Sequence, residues 1–199
     1  MKKILILFLL LIAINAQGQG LPVPANATLV TLFPDANLRM AMMEELGSND
    51  AWLTGQALSD RLARVRELNV GNINNADGLE YLINLTRFSA RLGSLTSLDV
   101  STLINLDTLD IAWNNLTELD ISNNINLTYL DVGLNNLTHL DISNNINLIY
   151  LDVSSNPLTS LNVSNNINLR VIRIWDINFT GQNIIGLRRN IELWDSFPQ

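Results

Sequence analysis

The sequence predicts a repeat solenoid of the α/β class, with two short parallel strands in each 21-residue turn and a small helical cap at the N-terminal end. Two observations carry that expectation. Nine leucines, Leu85, Leu95, Leu106, Leu116, Leu127, Leu137, Leu148, Leu158 and Leu169, follow one another at spacings that alternate between ten and eleven residues. Each half-period reads Leu-x-x-Leu-x-Val/Ile, so its fourth and sixth residues share one face of an extended segment. A repeat this short buries its apolar residues only by stacking on its neighbours.

The N-terminal residues combine Lys2 and Lys3, an apolar run from Ile4 to Ile14 and the small residues Ala16 and Gly18. This is the pattern of a secretory signal peptide cleaved after Ala16 or Gly18. The run is too short for a spanning helix, so no membrane span is expected in the mature chain. Residues 19–64 form the linker and helical cap. Pro34 is placed at a first helical position, Leu38, Met42 and Leu46 fall on one face, and Gly47 stops the helix. Thr54 caps a second short helix running to about Arg64. From Val65 through Leu68 and Val70 the repeat appears in degenerate form, and the solenoid is expected over residues 65–178. At residues 179–199 the apolar tail closes the last turn, which otherwise leaves an exposed strand edge.

Within the repeats, Leu98, Val100, Leu119, Ile121, Leu140, Ile142, Leu161 and Val163 are expected to point inward from one side. Leu109, Ile111, Leu130, Val132, Leu151, Val153, Ile172 and Ile174 meet them from the other. Corner columns of asparagine follow, Asn114, Asn135 and Asn156 on one side and Asn105, Asn126, Asn147 and Asn168 on the other. Asparagine tolerates corner dihedrals and bonds the backbone, so Asn114, Asn135, Asn156, Asn126, Asn147 and Asn168 are read as a structural ladder. Two aspartate columns also recur, Asp99, Asp120 and Asp141, and Asp110, Asp131 and Asp152. Stacked carboxylates repel. Without the glycine-rich turns of calcium-binding solenoids, the expectation is carboxylates screened by solvent and bonded by Ser, Thr or backbone donors, with no metal.

The outward third position reads Ser97, Glu118, His139 and Ser160 on one side, and Thr108, Tyr129, Tyr150 and Val171 on the other. Only the second gathers aromatic and apolar surface, so Tyr129, Ile149, Tyr150 and Trp175 are the candidate binding residues. The alternative is plain strand surface. His139 beside Glu118 has no nucleophile or closing loop around it, and no catalytic residue is assigned.

Among the 199 residues there are no cysteines, and the formal charge of −7 becomes −9 once Lys2 and Lys3 leave. An acidic chain without a basic face is a poor partner for a phosphate backbone, so nucleic acid is not expected. Seven Asn-X-Ser/Thr sites, starting at Asn26, Asn84, Asn115, Asn126, Asn136, Asn162 and Asn178, mostly fall out of the repeat itself.

These residues resemble bacterial extracellular leucine-rich repeat proteins of the nested 21-residue type. The segment FPDANLRMAMMEELG, with the later DGLEYLINLTRF, is similar to the helical cap and first turns of internalin-like proteins. The resemblance implies a leucine-rich repeat solenoid that recognises another molecule without catalysis. The expected protein is a secreted or envelope-exposed binding module for a protein or glycan, monomeric and without a cofactor. The alternatives are a polysaccharide-acting solenoid enzyme, which needs paired carboxylates in a groove, and an envelope spacer without a specific ligand.

Overall fold

The computed structural model describes residues 23–47, 54–177 and 184–194. The expected signal peptide, and parts of the expected C-terminal cap, lie outside those residues. Among the described residues three helices come first: α1 Leu29–Leu32, α2 Ala36–Leu46 and α3 Gly55–Leu62. In α2 the apolar spacing buries Leu38, Met42 and Leu46. Its cap is Asp35, whose Oδ1 accepts bonds from the backbone N–H groups of Asn37 and Leu38, so Pro34 stands one place before the cap and not at the first helical position. A carboxylate satisfies two orphan amides there, which proline cannot. Asp35 also ties the helix to the solenoid, because its Oδ2 accepts from the Asn74 backbone at 2.8 Å. Those backbone hydrogen bonds outweigh partial desolvation and hold its carboxyl below the usual range.

The chain then winds through parallel strands β1 Glu67–Asn69, β2 Arg87–Ser89, β3 Thr108–Asp110, β4 Tyr129–Asp131 and β5 Tyr150–Asp152. A short 3-10 turn, Leu79–Tyr81, separates the first two. It begins at Gly78, where φ is +99°, and where any Cβ would fall 2.5 Å from the Leu32 carbonyl oxygen. Only glycine allows the opening turn to press this closely on α1. Strands β6 Leu161–Asn162, β7 Val171–Arg173, β8 Ile184–Ile185 and β9 Glu192–Trp194 follow. One sheet runs β1-β2-β3-β4-β5-β7-β9, and β6 pairs with β8 in a second.

Register in the long sheet is strict: Tyr129 lies opposite Tyr150, Leu130 opposite Leu151 and Asp131 opposite Asp152. The middle residues of β1 to β5 and β7 point inward, and Leu68, Phe88, Leu109, Leu130, Leu151 and Ile172 are buried in one continuous core with the cap residues Leu38 and Met42, whereas Leu193 of β9 is exposed. The first and third residues of β1 to β5 and β7 therefore face outward.

On the second side the structure departs from the expected pattern. The segments Leu98–Val100, Leu119–Ile121 and Leu140–Ile142 keep Val100, Ile121 and Ile142 buried, but no strand forms there. Side chains have taken the backbone's place. The Asn124 amide donates to the carbonyls of Val100 and Leu103 in the preceding turn, at 3.0 and 2.8 Å. Asn145 repeats the arrangement on Ile121 and Asn124, and Asn166 on Ile142 and Asn145. A regular strand pair, β6 with β8, appears where this column stops, and there Arg188 donates to the Ser164 and Ile167 carbonyls of the preceding turn at 3.2 and 2.8 Å.

Candidate functional site

Every outward position on the long sheet belongs to one of a few columns, and the columns carry unequal chemistry. The first strand residues bring Tyr129 and Tyr150 together with ring centroids 4.4 Å apart and planes within 2°. That is an offset stack, an arrangement aromatic pairs favour. The Arg173 guanidinium lies 5.5 Å from the Tyr150 centroid on one side and 5.5 Å from the Trp194 ring on the other. Tyr150 is thus covered on both faces, and it offers a ligand its edge and hydroxyl. Burial, then the nearby Asp152, pushes that hydroxyl far above the usual tyrosine range, and burial and Asp131 raise Tyr129 likewise.

The third strand residues form the carboxylate column, and here the expectation of solvent screening fails. Asp131 is only 4% exposed and Asp152 6%. Arg91 from the neighbouring column and Arg173 from the next place in their own column cover them. Arg91 approaches Asp110 at 3.0 Å and Asp131 at 2.6 Å, while Arg173 lies 3.9 Å from Asp152. Loss of water raises the Asp131 carboxyl to about 6, with Asp152 and Asp110 adding repulsion that Arg91 only partly offsets. Asp110 is also raised, burial being the main cause. The opposite column behaves as expected: Asp120 and Asp141 accept bonds from the backbones of Ser122 and Ser143 at 2.9 Å, which hold both carboxyls low. No group of three or more metal-ligating side chains occurs among the described residues.

Beyond the carboxylates runs a groove of about 240 Å³ with Gly133 in its lining, between Ala112 and Ser154 in the same column. Trp113, Trp175 and Trp194 line it. Trp113 and Leu134 form its outer lip, and with Leu92 of the same corner column they have left-handed backbones at φ 61°, 55° and 57°. Other turns place Asn72, Ser155 and Asp176 there. Asn and Asp suit that conformation, whereas a bulky residue costs about 1–2 kcal/mol. Three adjacent turns nonetheless carry large apolar side chains, with Leu92 64% and Trp113 52% exposed.

Among the candidates read from sequence, Tyr129 and Tyr150 are in contact and Trp175 stands at the nearby groove. Ile149 does not join them. It lines a separate depression of about 450 Å³ with Asn126, Asn147 and Asn168. Those asparagine amides already bond the carbonyls of Ile104, Ile125 and Ile146 in preceding turns. Asn114, Asn135 and Asn156 are buried and donate to Ala90, Ile111 and Val132 while accepting from Leu95, Leu116 and Leu137. Sequence reasoning passed over Arg91, Trp113, Asp131, Asp152, Arg173 and Trp194 as members of one site. A usable signal was the register itself, since residues two places after Tyr129 and Tyr150 must share their face. His139 and Glu118 are exposed on the opposite side.

No family model matches the chain, and no curated protein does. Solved structures do. The functional domain of InlJ from Listeria monocytogenes, which includes a cysteine ladder, is 29% identical with a TM-score of 0.71, covering 81% of this chain and 36% of that one. The internalin InlF of Listeria monocytogenes is 23% identical at a TM-score of 0.60, covering 79% of this chain and 53% of that one. A leucine-rich repeat protein of Leptospira interrogans is 23% identical at 0.59, covering 63% and 35%. The chain thus spans between about a third and a half of these proteins. The protein is an internalin-like leucine-rich repeat solenoid. It has no cysteine, and its stacked columns are asparagine. No helix among the described residues is long and apolar enough to cross a membrane.

Proposed function

We propose that the protein is a non-catalytic binding module, exported to the cell envelope or beyond, that recognises a protein or glycan through the outward face of its long sheet. One observation carries the reading. The stacked Tyr129–Tyr150 pair and the tryptophan-lined groove lie side by side on that face, whereas the opposite outward column is Ser97, Glu118, His139 and Ser160. Aromatic anchors next to half-buried polar groups are what recognition surfaces concentrate. The structural neighbours support the same reading through their shared build. Capture experiments with the full chain against envelope and host extracts test it. A specific partner lost by Tyr150→Ala and kept by Glu118→Ala supports the reading, whereas a partner lost only by Glu118→Ala or His139→Ala puts the site on the other side.

A further inference from the structure

We propose that the groove bounded by Arg91 and Trp194 is a subsite for one neutral sugar ring of a glycan. This deepens the binding-module reading and rests on it. Charge narrows the ligand first. The carboxylates of Asp110, Asp131 and Asp152 and the guanidiniums of Arg91 and Arg173 already engage one another. A cationic ligand would meet two guanidiniums, and an anionic one the almost dehydrated carboxylates of Asp131 and Asp152. A neutral ring of hydroxyls suits such a wall, because each hydroxyl donates to a carboxylate and accepts from a guanidinium.

Shape narrows it further. Trp113, Trp175 and Trp194 line the groove with apolar faces, on which the C–H face of a pyranose packs as on any aromatic surface. At Gly133 an added Cβ would lie 3.2 Å from Asp152 Oδ1 and 3.3 Å from Asp131 Oδ1. The missing side chain keeps those oxygens within reach. A volume of about 240 Å³ suits a single ring. A third observation concerns the backbone: Trp113 and Leu134 hold an apolar lip in a conformation that disfavours them.

Tryptophan fluorescence of the full chain, titrated with neutral oligosaccharides of glucose, mannose, galactose and N-acetylglucosamine, with uronate oligosaccharides and with oligolysine, tests the assignment. At least one neutral oligosaccharide is expected to saturate at millimolar concentration or below. Trp113→Ala should weaken it about tenfold or more, the loss of one aromatic anchor, with the wild-type melting temperature, and Gly133→Val should abolish it. Should Gly133→Val unfold, Trp113→Ala decides alone, since Trp113 is half exposed. Saturation by uronate or oligolysine only, neutral binding that survives Trp113→Ala, or no neutral saturation overturns the assignment. Capture of a protein partner through Tyr150 without any sugar binding defeats the sugar subsite and leaves the binding module standing.

Discussion

The two long sides of this solenoid stack by different means, and the difference explains where the sequence varies. On the strand side the backbone makes the contacts: Ile111 N–H bonds the Asp131 carbonyl at 2.9 Å, and Val132 N–H bonds that of Asp152 at 2.9 Å. Outward side chains there carry no stacking duty. They read Thr108, Tyr129, Tyr150 and Val171 in one column and Ala112, Gly133, Ser154 and Trp175 in another. On the opposite side amide side chains make the contacts, and the segment Asp-Ile-Ser-Asn-Asn-Ile-Asn-Leu recurs unchanged from Asp120 and from Asp141. Uniform sequence marks the side that side chains hold together. Variable sequence marks the side free to bind.

Breaking the comparison where it is strongest should have the largest effect. Leu130→Ala removes a fully buried residue in the middle of the stack and should cost about 2–5 kcal/mol in urea denaturation, whereas Thr128→Ala should cost far less. Asn145→Ala removes the side-chain bond from two interior carbonyls, Ile121 and Asn124, each of which keeps a backbone N–H, from Asn124 and from Leu127, and should cost about 1–3 kcal/mol, since each net hydrogen bond is worth about 0.5–1.5 kcal/mol. Its neighbour Asn147, exposed and bonded to Ile125 alone, should cost about 1 kcal/mol or less on the same assay.

Acid sharpens the same contrast by acting oppositely on the two aspartate columns. Asp131 binds its proton at about 6 in the fold and at about 3.9 when unfolded. Its stabilising contribution is therefore fully present below about pH 4 and is lost as pH rises through about 6. Asp120 and Asp141, held low by Ser122 and Ser143, stabilise above the unfolded value and lose that contribution as pH falls below it. The stability of wild type relative to Asp131→Asn should accordingly rise by up to about 3 kcal/mol between pH 7 and pH 4. Melts at both pH values check the sign, and a wild type that gains nothing on acidification contradicts the burial argument. The smallest effect is expected from Glu118→Ala and His139→Ala, exposed on the turn side, with stability unchanged within about 0.5 kcal/mol.

Periodicity made the columns legible, including the inward leucines, the corner asparagines and the Leu38, Met42 and Leu46 face of the cap helix. It could not say which columns the backbone pairs. The same Leu-x-x-Leu-x-Val/Ile pattern occurs on both sides, and each side carries an asparagine column at the same offset, 114, 135 and 156 on the strand side and 124, 145 and 166 on the other. The latter column was readable in principle, because these residues interrupt a series that begins with the buried Leu82 and Leu103. Their Oδ1 atoms accept no hydrogen bond, so geometry favours them for the amide donors they aim at the previous turn. The groove was less legible. Its parts come from different turns, and Arg91, Trp113, Arg173 and Trp194 each depart from their columns, whereas a repeat pattern reports what recurs. Burial of Asp131 and Asp152 depends on how far Arg91 reaches across columns and Arg173 along its own, which spacing does not reveal.

The division of labour is tested most directly by urea denaturation of Asn145→Ala beside Tyr150→Ala. Tyr150 is half-buried and stacked on Tyr129, a contact worth about 0.5–1.5 kcal/mol beyond its buried area, but no backbone group depends on it. Asn145→Ala should lose more stability than Tyr150→Ala, and its midpoint should fall further at an unchanged slope. Equal losses, or a larger loss for Tyr150→Ala, would show that the aromatic column holds the turns together and would contradict its assignment to binding.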